Sequence, residues 1–359
     1  MEGEGGDPFE PFPGLRGRHR IRQRADGACG FLSPTNRCRI HEEMGAAKKP
    51  LTCRVFPYAF HQAADAVVVT ASFGCPTIVA NQGPPIGAGP PLIAIESLRE
   101  EWFARSPPTA APLQLVAGRS IDMRSSRVVR EGLLAMLRRD SDDIRENIRR
   151  IAGTIDDLTR SRVLALPDAD FAAYIVLTVP HAVATRVSPA QRRVGSIARL
   201  LQYGFLYAVT AVRAELEEPG QSRGSLRLRR LQLLAHFHGL APGRNRVKVS
   251  SLKRRLDIND PLIRPIAVNY LRAALATLGA TGRPIVDELS MAVSYLNAAT
   301  ALAVMNADAA GQRADSAIFS EALMEVADVS HARNALIDWV MKRFGTDTGA
   351  IWFSAAVQH

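Results

Sequence analysis

Length and composition indicate a folded protein: 47% of the 359 residues are apolar, so one large or two unequal domains with a substantial core are expected. The formal net charge of +10 is compatible with an acidic partner but does not select one. The most apolar windows, 171–179 and 200–212, are about half of the roughly 20 residues that cross a bilayer, which argues against a membrane span.

Residues 1–26 are expected to form a disordered leader. Gly, Pro, Glu and Arg are mixed there without apolar periodicity, and no apolar segment of the signal-peptide type is present. A soluble, cytoplasmic protein is therefore predicted. Thiols stay reduced in that compartment, so clustered cysteines there favour metal binding over disulfides.

A small, cysteine-rich α+β module is predicted over residues 27–80. The alternation over 54–61 and the β-branched run 67–70 predict two short strands, joined by a turn at 62–65. This β-hairpin is expected to bring Cys53 and Cys75 towards the same end of the module. The Gly and Pro residues that follow predict a linker over 81–95.

Residues 96–359 are predicted to form a larger all-α domain of seven to nine helices, which makes the fold class mainly α. Apolar residues recur there at steps of three and four, as the buried face of a helix requires. The stretches are 144–158, 263–278, 285–296 and 323–340, the last with a break near Ser330. Each stripe is interpreted as a core face and not as a cofactor-binding segment.

The four cysteines of the chain all lie between positions 29 and 75. Four thiolates close in sequence supply the sulfur set that structural zinc prefers and that an iron–sulfur cluster accepts. No C-x-x-C pair is present, so each ligand would come from a different turn or strand end. The predicted metal ligands are Cys29, Cys38, Cys53 and Cys75; the alternative is a small domain with buried, unligated thiols.

Residues beside the cysteines favour the metal site. Positive charge stabilises thiolates, and five basic residues crowd the same segment, although a solvated surface would contain them too: Arg37, Arg39, Lys48, Lys49 and Arg54. Cys75 precedes Pro76, and Cys-Pro ends a common iron–sulfur ligand run. His41 lies three residues after Cys38 and is either an imidazole ligand in place of a thiolate, a side chain that supports the ligands without binding the metal, or a solvated side chain.

Taken together, the cysteine segments resemble a known family. They read Cys29-Gly30-Phe31-Leu32, Arg37-Cys38-Arg39-Ile40-His41, Lys49-Pro50-Leu51-Thr52-Cys53-Arg54-Val55-Phe56-Pro57 and Gly74-Cys75-Pro76. This order is similar to the C-x-F-L, R-C-x-I-[HY], [KR]-P-x-x-C-R-x-[FY]-P and C-P segments of the zinc- or iron-chelating cysteine-cluster family (YkgJ-type), which includes the flagellin lysine N-methylases. The resemblance covers about residues 27–80.

The resemblance implies a zinc ion or an iron–sulfur cluster bound by the cysteines. It also implies an alternative function, a protein lysine N-methyltransferase acting on a flagellin-like protein with S-adenosylmethionine as methyl donor. A degenerate family member without metal is a third possibility. Members of the family carry a further tight cysteine cluster before the first motif, whereas residues 1–28 contain no cysteine. Either the chain begins downstream of that cluster, or this branch lacks it.

Enzyme motifs give no further direction. The sequence contains no G-x-x-x-x-G-K-[ST] phosphate loop, no H-E-x-x-H helix and no G-x-S-x-G elbow. The glycines at 83–89 follow no predicted strand and open no helix among the prolines, so a Rossmann-type cradle is not predicted. Catalytic and cofactor-binding residues therefore stay unassigned.

A basic segment lies in the helical half. Residues 219–256 contain ten Arg and Lys residues and neither Asp nor Glu, which equals the net charge of the whole chain. Such a segment attracts acidic protein surfaces or nucleic acid, but it holds a single aromatic residue on which a base could stack. An acidic protein surface, or simply solvent, is therefore preferred over nucleic acid.

Overall fold

The computed structural model describes residues 8–11, 19–22, 24, 28–35, 37–63, 66–83, 91–105, 113–137, 143–184 and 256–331. The fold class is mainly α, as predicted. In chain order the elements are β1 (Phe9–Pro11), β2 (His19–Ile21), α1 (Arg39–Met44), α2 (Leu51–Val55), β3 (Tyr58–Ala63), β4 (Ala66–Ala71), α3 (Pro76–Val79), α4 (Pro91–Arg105), β5 (Gln114–Val116), β6 (Arg119–Ser120), α5 (Met123–Leu137), α6 (Ile144–Leu158), α7 (Ser161–Leu164), α8 (Asp168–Ala184), α9 (Arg264–Ala276), α10 (Ile285–Ala309) and α11 (Ser316–His331).

The chain divides into two compact units. The small unit comprises Met1–Phe56 and Pro90–Arg105, and the large unit comprises Pro57–Gly89 and Ser106–His359. This division differs from the predicted domains, because the β3–β4 hairpin and Cys75 belong to the large unit. The chain therefore passes between the units three times, which a pattern read along the sequence does not reveal.

The small unit contains β1, β2, α1, α2 and α4, with a 3₁₀ turn at Ala46–Lys48. Strands β1 and β2 pair antiparallel, with Phe9 opposite Ile21. The centres of the Phe9 and Phe31 rings lie 5.8 Å apart. These strands fall within residues 1–26, so part of the predicted leader is ordered. Helix α4 begins at Pro91, which lies inside the predicted linker. Proline is well suited to the first turn of a helix.

In the large unit the β3–β4 hairpin confirms the predicted antiparallel pair. Its register places Tyr58 opposite Ala71 and Ala63 opposite Ala66. The predicted first strand began too early, because Arg54 and Val55 complete helix α2. Of the predicted turn, residues 62 and 63 extend the strand, and residues 64 and 65 lie outside the described part.

The helices of the large unit enclose one apolar core. Helix α6 follows the predicted stripe, since Ile144, Ile151, Ile155 and Leu158 are all at most 3% exposed. Its first turn is capped by the Asp143 carboxylate, which accepts a hydrogen bond from the Arg145 amide. Helix α5 packs against α6, α8 and α9, and α10 packs against α9 and α11.

Helix α10 is longer than its predicted stripe. It is the one described helix whose length and apolar composition would suit a membrane span, and the sequence windows had not indicated it. In its most apolar window 72% of the residues are buried inside the protein, which is typical of a core helix. Helix α11 covers the first half of the 323–340 stripe, whose remainder lies outside the described residues.

Candidate metal centre

The four cysteines are distributed over both units. Cys29, Cys38 and Cys53 belong to the small unit, and Cys75 belongs to the large unit. All four are free thiols with intermediate solvent exposure. The membership of Cys75 in a common ligand set therefore stays a prediction of the sequence, as does the expectation that the hairpin brings it towards Cys53.

Cys29 and Cys38 flank one short loop. The Leu32 amide donates a hydrogen bond to the Cys29 carbonyl over 3.0 Å, and Leu32 forms an isolated antiparallel bridge with Cys38. The Arg39 amide continues the ladder by donating to the Phe31 carbonyl over 2.9 Å. Backbone hydrogen bonds thus fix the two cysteine positions within a single local structure.

Gly30 allows this loop to lie against the end of strand β2. Its amide donates to the Arg22 carbonyl over 2.9 Å, and a Cβ atom at position 30 would lie only 2.8 Å from that same oxygen. Because the obstacle is a backbone atom, a side chain here would force one of the two segments to move. The glycine that follows Cys29 in the motif therefore has a steric reason to be there.

Cys53 lies within helix α2, where its amide donates to the Pro50 carbonyl over 2.9 Å. Its neighbours Leu51 and Val55 are buried, whereas Cys53 itself is half-buried. Helix α2 thus buries the face that carries Leu51 and Val55 and leaves the thiol partly accessible to solvent.

Arg54 ties helix α2 to helix α4. Its Nη2 atom lies 2.6 Å from Oε1 of Glu101, and its Nε donates to the Lys49 carbonyl over 3.1 Å. Arg105 reaches the same Glu101 oxygen over 2.7 Å. The hydrogen bond from Arg54 holds the pKa of the Glu101 carboxyl below its ordinary value of 4.5, against the opposing effect of partial burial, and the charges of Arg54 and Arg105 add to it.

Acid is expected to loosen the attachment of α2 to α4. Because the pKa of Glu101 is lowered in the fold, its contribution is complete above pH 4.5 and is lost as the pH falls through the lowered value. Amide protection factors of residues 51–55 should therefore decrease on acidification, and Glu101→Gln should reduce them at neutral pH and flatten this dependence. Glu100→Gln, at an exposed neighbour, should leave it unchanged; an identical profile in both variants would contradict the assignment.

Cys75 directly precedes helix α3 in the large unit. Its amide donates to the Ser72 carbonyl over 3.1 Å, and its carbonyl accepts from the Val79 amide over 3.0 Å. Pro76 occupies the first turn of α3, where the missing amide hydrogen costs nothing. Phe73, two residues before Cys75, is buried. Its ring packs edge-on against the ring of Tyr270, with the ring centres 5.3 Å apart.

Three of the basic residues around the cysteines bind groups other than the thiols. Arg54 is engaged by Glu101, and exposed Arg37 lies 3.3 Å from Glu42. Arg39 donates to the Gly30 carbonyl over 3.1 Å. His41 is exposed on helix α1, which accords with the solvated alternative and leaves its ligand role a prediction.

An assembled group of metal ligands is not found among the residues that the structure describes. Among the residues that the structure describes, no group of three or more His, Cys, Asp or Glu side chains is placed to share one metal ion. The donor atoms suit zinc or iron by their chemistry, but their arrangement is not that of an assembled site. Sequence reasoning missed Glu101, since it lies 47 positions from Arg54 and no local signal links the two residues.

Other predicted features lie outside this region or outside the described residues. Apart from Leu256, the basic segment 219–256 is not described, so its preference for an acidic surface stays a prediction. The lysine N-methyltransferase alternative and its methyl donor also stay predictions of the resemblance.

Comparisons with known proteins do not add a family. No protein-family model matches the chain, and no significant match is found among curated proteins or among solved structures. The likeness to the zinc- or iron-chelating cysteine-cluster family therefore rests on the four quoted segments alone.

Proposed function

We propose that the chain is a metal-binding protein whose small unit holds a zinc ion or an iron–sulfur cluster through Cys29, Cys38 and Cys53. Cys75 is the fourth ligand that the sequence predicts. Thiolate sulfur is the preferred donor for both kinds of centre. A cytoplasmic location, where free thiols persist, is part of the proposal.

The sparse apolar interior of the small unit carries the proposal. Among its described side chains only Leu51, Val55 and Ile95 are buried apolar residues, whereas the large unit encloses an extended core that runs from Phe73 to Ala327. Units of this size seldom gain enough stability from burial alone and commonly add a metal, disulfides or a partner. Since the cysteines form no disulfide, a metal is the stabiliser that its own side chains best supply.

The magnitude of metal binding is sufficient for this role. Structural zinc contributes about 10–16 kcal/mol in small peptides, and this binding free energy is also folding free energy. Burying one large aliphatic side chain contributes only about 1.5–3 kcal/mol. A single ion would therefore contribute more to the small unit than its three buried apolar side chains do together.

Metal analysis of Cys53→Ser tests the proposal. The full chain, purified anaerobically, should contain stoichiometric zinc, or iron with labile sulfide. Cys53→Ser should lose most of that metal because hydroxyl oxygen is a far poorer donor than thiolate. Thr52→Ser changes the exposed neighbour on the same helix and should retain it. Full stoichiometric metal in Cys53→Ser would refute the ligand assignment.

The same assay decides the role of Cys75. If Cys75 belongs to the ligand set, Cys75→Ser should lower the metal content as Cys53→Ser does. Unchanged metal in Cys75→Ser, with loss in Cys53→Ser, would confine the site to the small unit.

A further inference from the structure

We infer that Cys29 and Cys38 form a reversible dithiol–disulfide couple, so that an oxidant joins these two cysteines to each other. This inference goes beyond the proposed metal site and does not depend on it, because the reaction needs two thiols and an oxidising disulfide but no metal ion. In a reducing cytoplasm the bond would form transiently, as it does in proteins that sense oxidants.

The first observation is a tight turn that begins at Cys29. The Leu32 amide donates a hydrogen bond to the Cys29 carbonyl over 3.0 Å. The first and last Cα atoms of a four-residue turn closed in this way lie within about 7 Å of each other. The turn therefore returns the chain from Cys29 to the residue that is bridged to Cys38.

The second observation is the close type of the bridge between Leu32 and Cys38. The hydrogen bonds lie on either side of the pair: the residue after Leu32 donates to the one before Cys38 over 2.8 Å, and the residue after Cys38 donates to the one before Leu32 over 2.9 Å. The Cα atoms of such a non-hydrogen-bonded antiparallel pair are about 4.5 Å apart, and their side chains are neighbours. The turn and the bridge together thus bring Cys29 near Cys38, and a disulfide needs Cα atoms about 4.4–6.8 Å apart.

The third observation is that both sulfur atoms can be reached and joined without breaking a helix. Cys38 directly precedes helix α1 as its N-terminal cap residue, and Cys29 lies between β2 and α1 in the chain. Both side chains are only partly buried. The guanidinium of Arg39 donates to the Gly30 carbonyl over 3.1 Å, which places a cation beside the neighbours of both cysteines. This charge attracts an anionic oxidant such as glutathione disulfide.

The other two cysteines are placed differently. Cys53 lies within helix α2, and Cys75 belongs to the large unit. Eight residues separate Cys29 from Cys38, whereas 14 separate Cys38 from Cys53. Because the entropic cost of closing a loop rises with its length, the bond between Cys29 and Cys38 should form in preference to the others.

The reaction is two successive thiol–disulfide exchanges. The thiolate of one cysteine attacks a sulfur atom of glutathione disulfide, whose S–S bond breaks and releases one glutathione thiolate. The second cysteine loses its proton to solvent and attacks the protein sulfur of this mixed disulfide. The second glutathione then leaves as a thiolate. The two protein thiols are oxidised, and one glutathione disulfide is reduced to two molecules of glutathione.

Peptide mapping of the full chain tests the inference. The protein is freed of metal with a chelator and incubated with glutathione disulfide, and the remaining thiols are alkylated before digestion with trypsin. Cleavage after Arg37 puts Cys29 and Cys38 in different peptides, so only a disulfide can join them. We expect the joined peptides, with loss of both thiols from the alkylated pool and recovery of both on addition of dithiothreitol. Cys53 and Cys75 should remain alkylated.

Variants identify the partner of each sulfur atom. Cys38→Ser should leave Cys29 as a mixed disulfide with glutathione, whereas Cys53→Ser should retain the bond between Cys29 and Cys38. A bond from Cys29 to Cys53 or Cys75, or mixed disulfides alone in the unsubstituted chain, would overturn the inference. A chain that forms the predicted bond but binds neither zinc nor iron would refute the proposed function alone. A chain that binds metal through its cysteines but forms only mixed disulfides would refute this inference alone.

Discussion

Phe171→Ala should lower the free energy of unfolding by about 3–5 kcal/mol, the cost of removing a large buried aromatic side chain. Phe171 is 2% exposed in helix α8, and the guanidinium of Arg119 lies 4.2 Å from the centre of its ring. Arg119 also bonds to Asp168 and to the Leu166 carbonyl, each over 2.8 Å. The substitution therefore removes both core volume and the surface on which a fixed cation rests.

Leu177 supplies a matched control for this measurement. It lies on the same helix but is 73% exposed, so Leu177→Ala should change the stability by no more than about 0.5 kcal/mol. Urea unfolding followed by circular dichroism would measure both variants. Equal losses would show that α8 is not buried through its Phe171 face.

Gly132→Ala should destabilise the contact between α5 and α8 by about 2 kcal/mol. The added Cβ atom would lie 2.2 Å from Cγ1 of Val179, a side chain that is fully buried. Overpacking of this kind costs up to about 3 kcal/mol, and the better helix propensity of alanine returns about 1 kcal/mol. Chemical denaturation measures the net loss.

A double-mutant cycle identifies the clash as the cause. Val179→Ala alone should destabilise the protein by leaving a cavity. Added to Gly132→Ala, however, it removes the obstructing methyl group. The double variant should therefore lose less free energy of unfolding than the sum of the losses in the two single variants. Strict additivity would contradict the close approach of the two helices.

The helical half shows what a sequence pattern can predict. The isoleucine stripe of α6 and the apolar runs of α9 and α10 arise because burial of one face dictates residue type at helical spacing. The β3–β4 hairpin was equally predictable, since both strands and their connection are adjacent in sequence. In each case the determining contacts are local.

The division into units was not predictable in the same way. Helix α4 joins the small unit although 33 residues of the large unit, Pro57–Gly89, separate it from α2. The Arg54–Glu101 pair that connects the two helices depends on tertiary packing alone. Strands β1 and β2 were missed for a related reason, because three-residue strands carry too short an alternation to be recognised.

The composition of the candidate site stays a prediction of the sequence. The sequence indicated which four thiols to consider, and the structure brings Cys29 and Cys38 into one loop through the Leu32–Cys38 bridge. The surroundings of Gly30 explain its place beside Cys29. The positions of such side chains depend on the free energies of chain packing and of any metal binding. Residue spacing in the sequence does not give either free energy.

X-ray absorption at the metal edge of the full chain, purified anaerobically, is the most direct test of cysteine ligation. The expected result is at least three sulfur neighbours around the metal, at about 2.3 Å if the metal is zinc. A metal surrounded only by oxygen and nitrogen, or a chain that contains neither zinc nor iron, would contradict it.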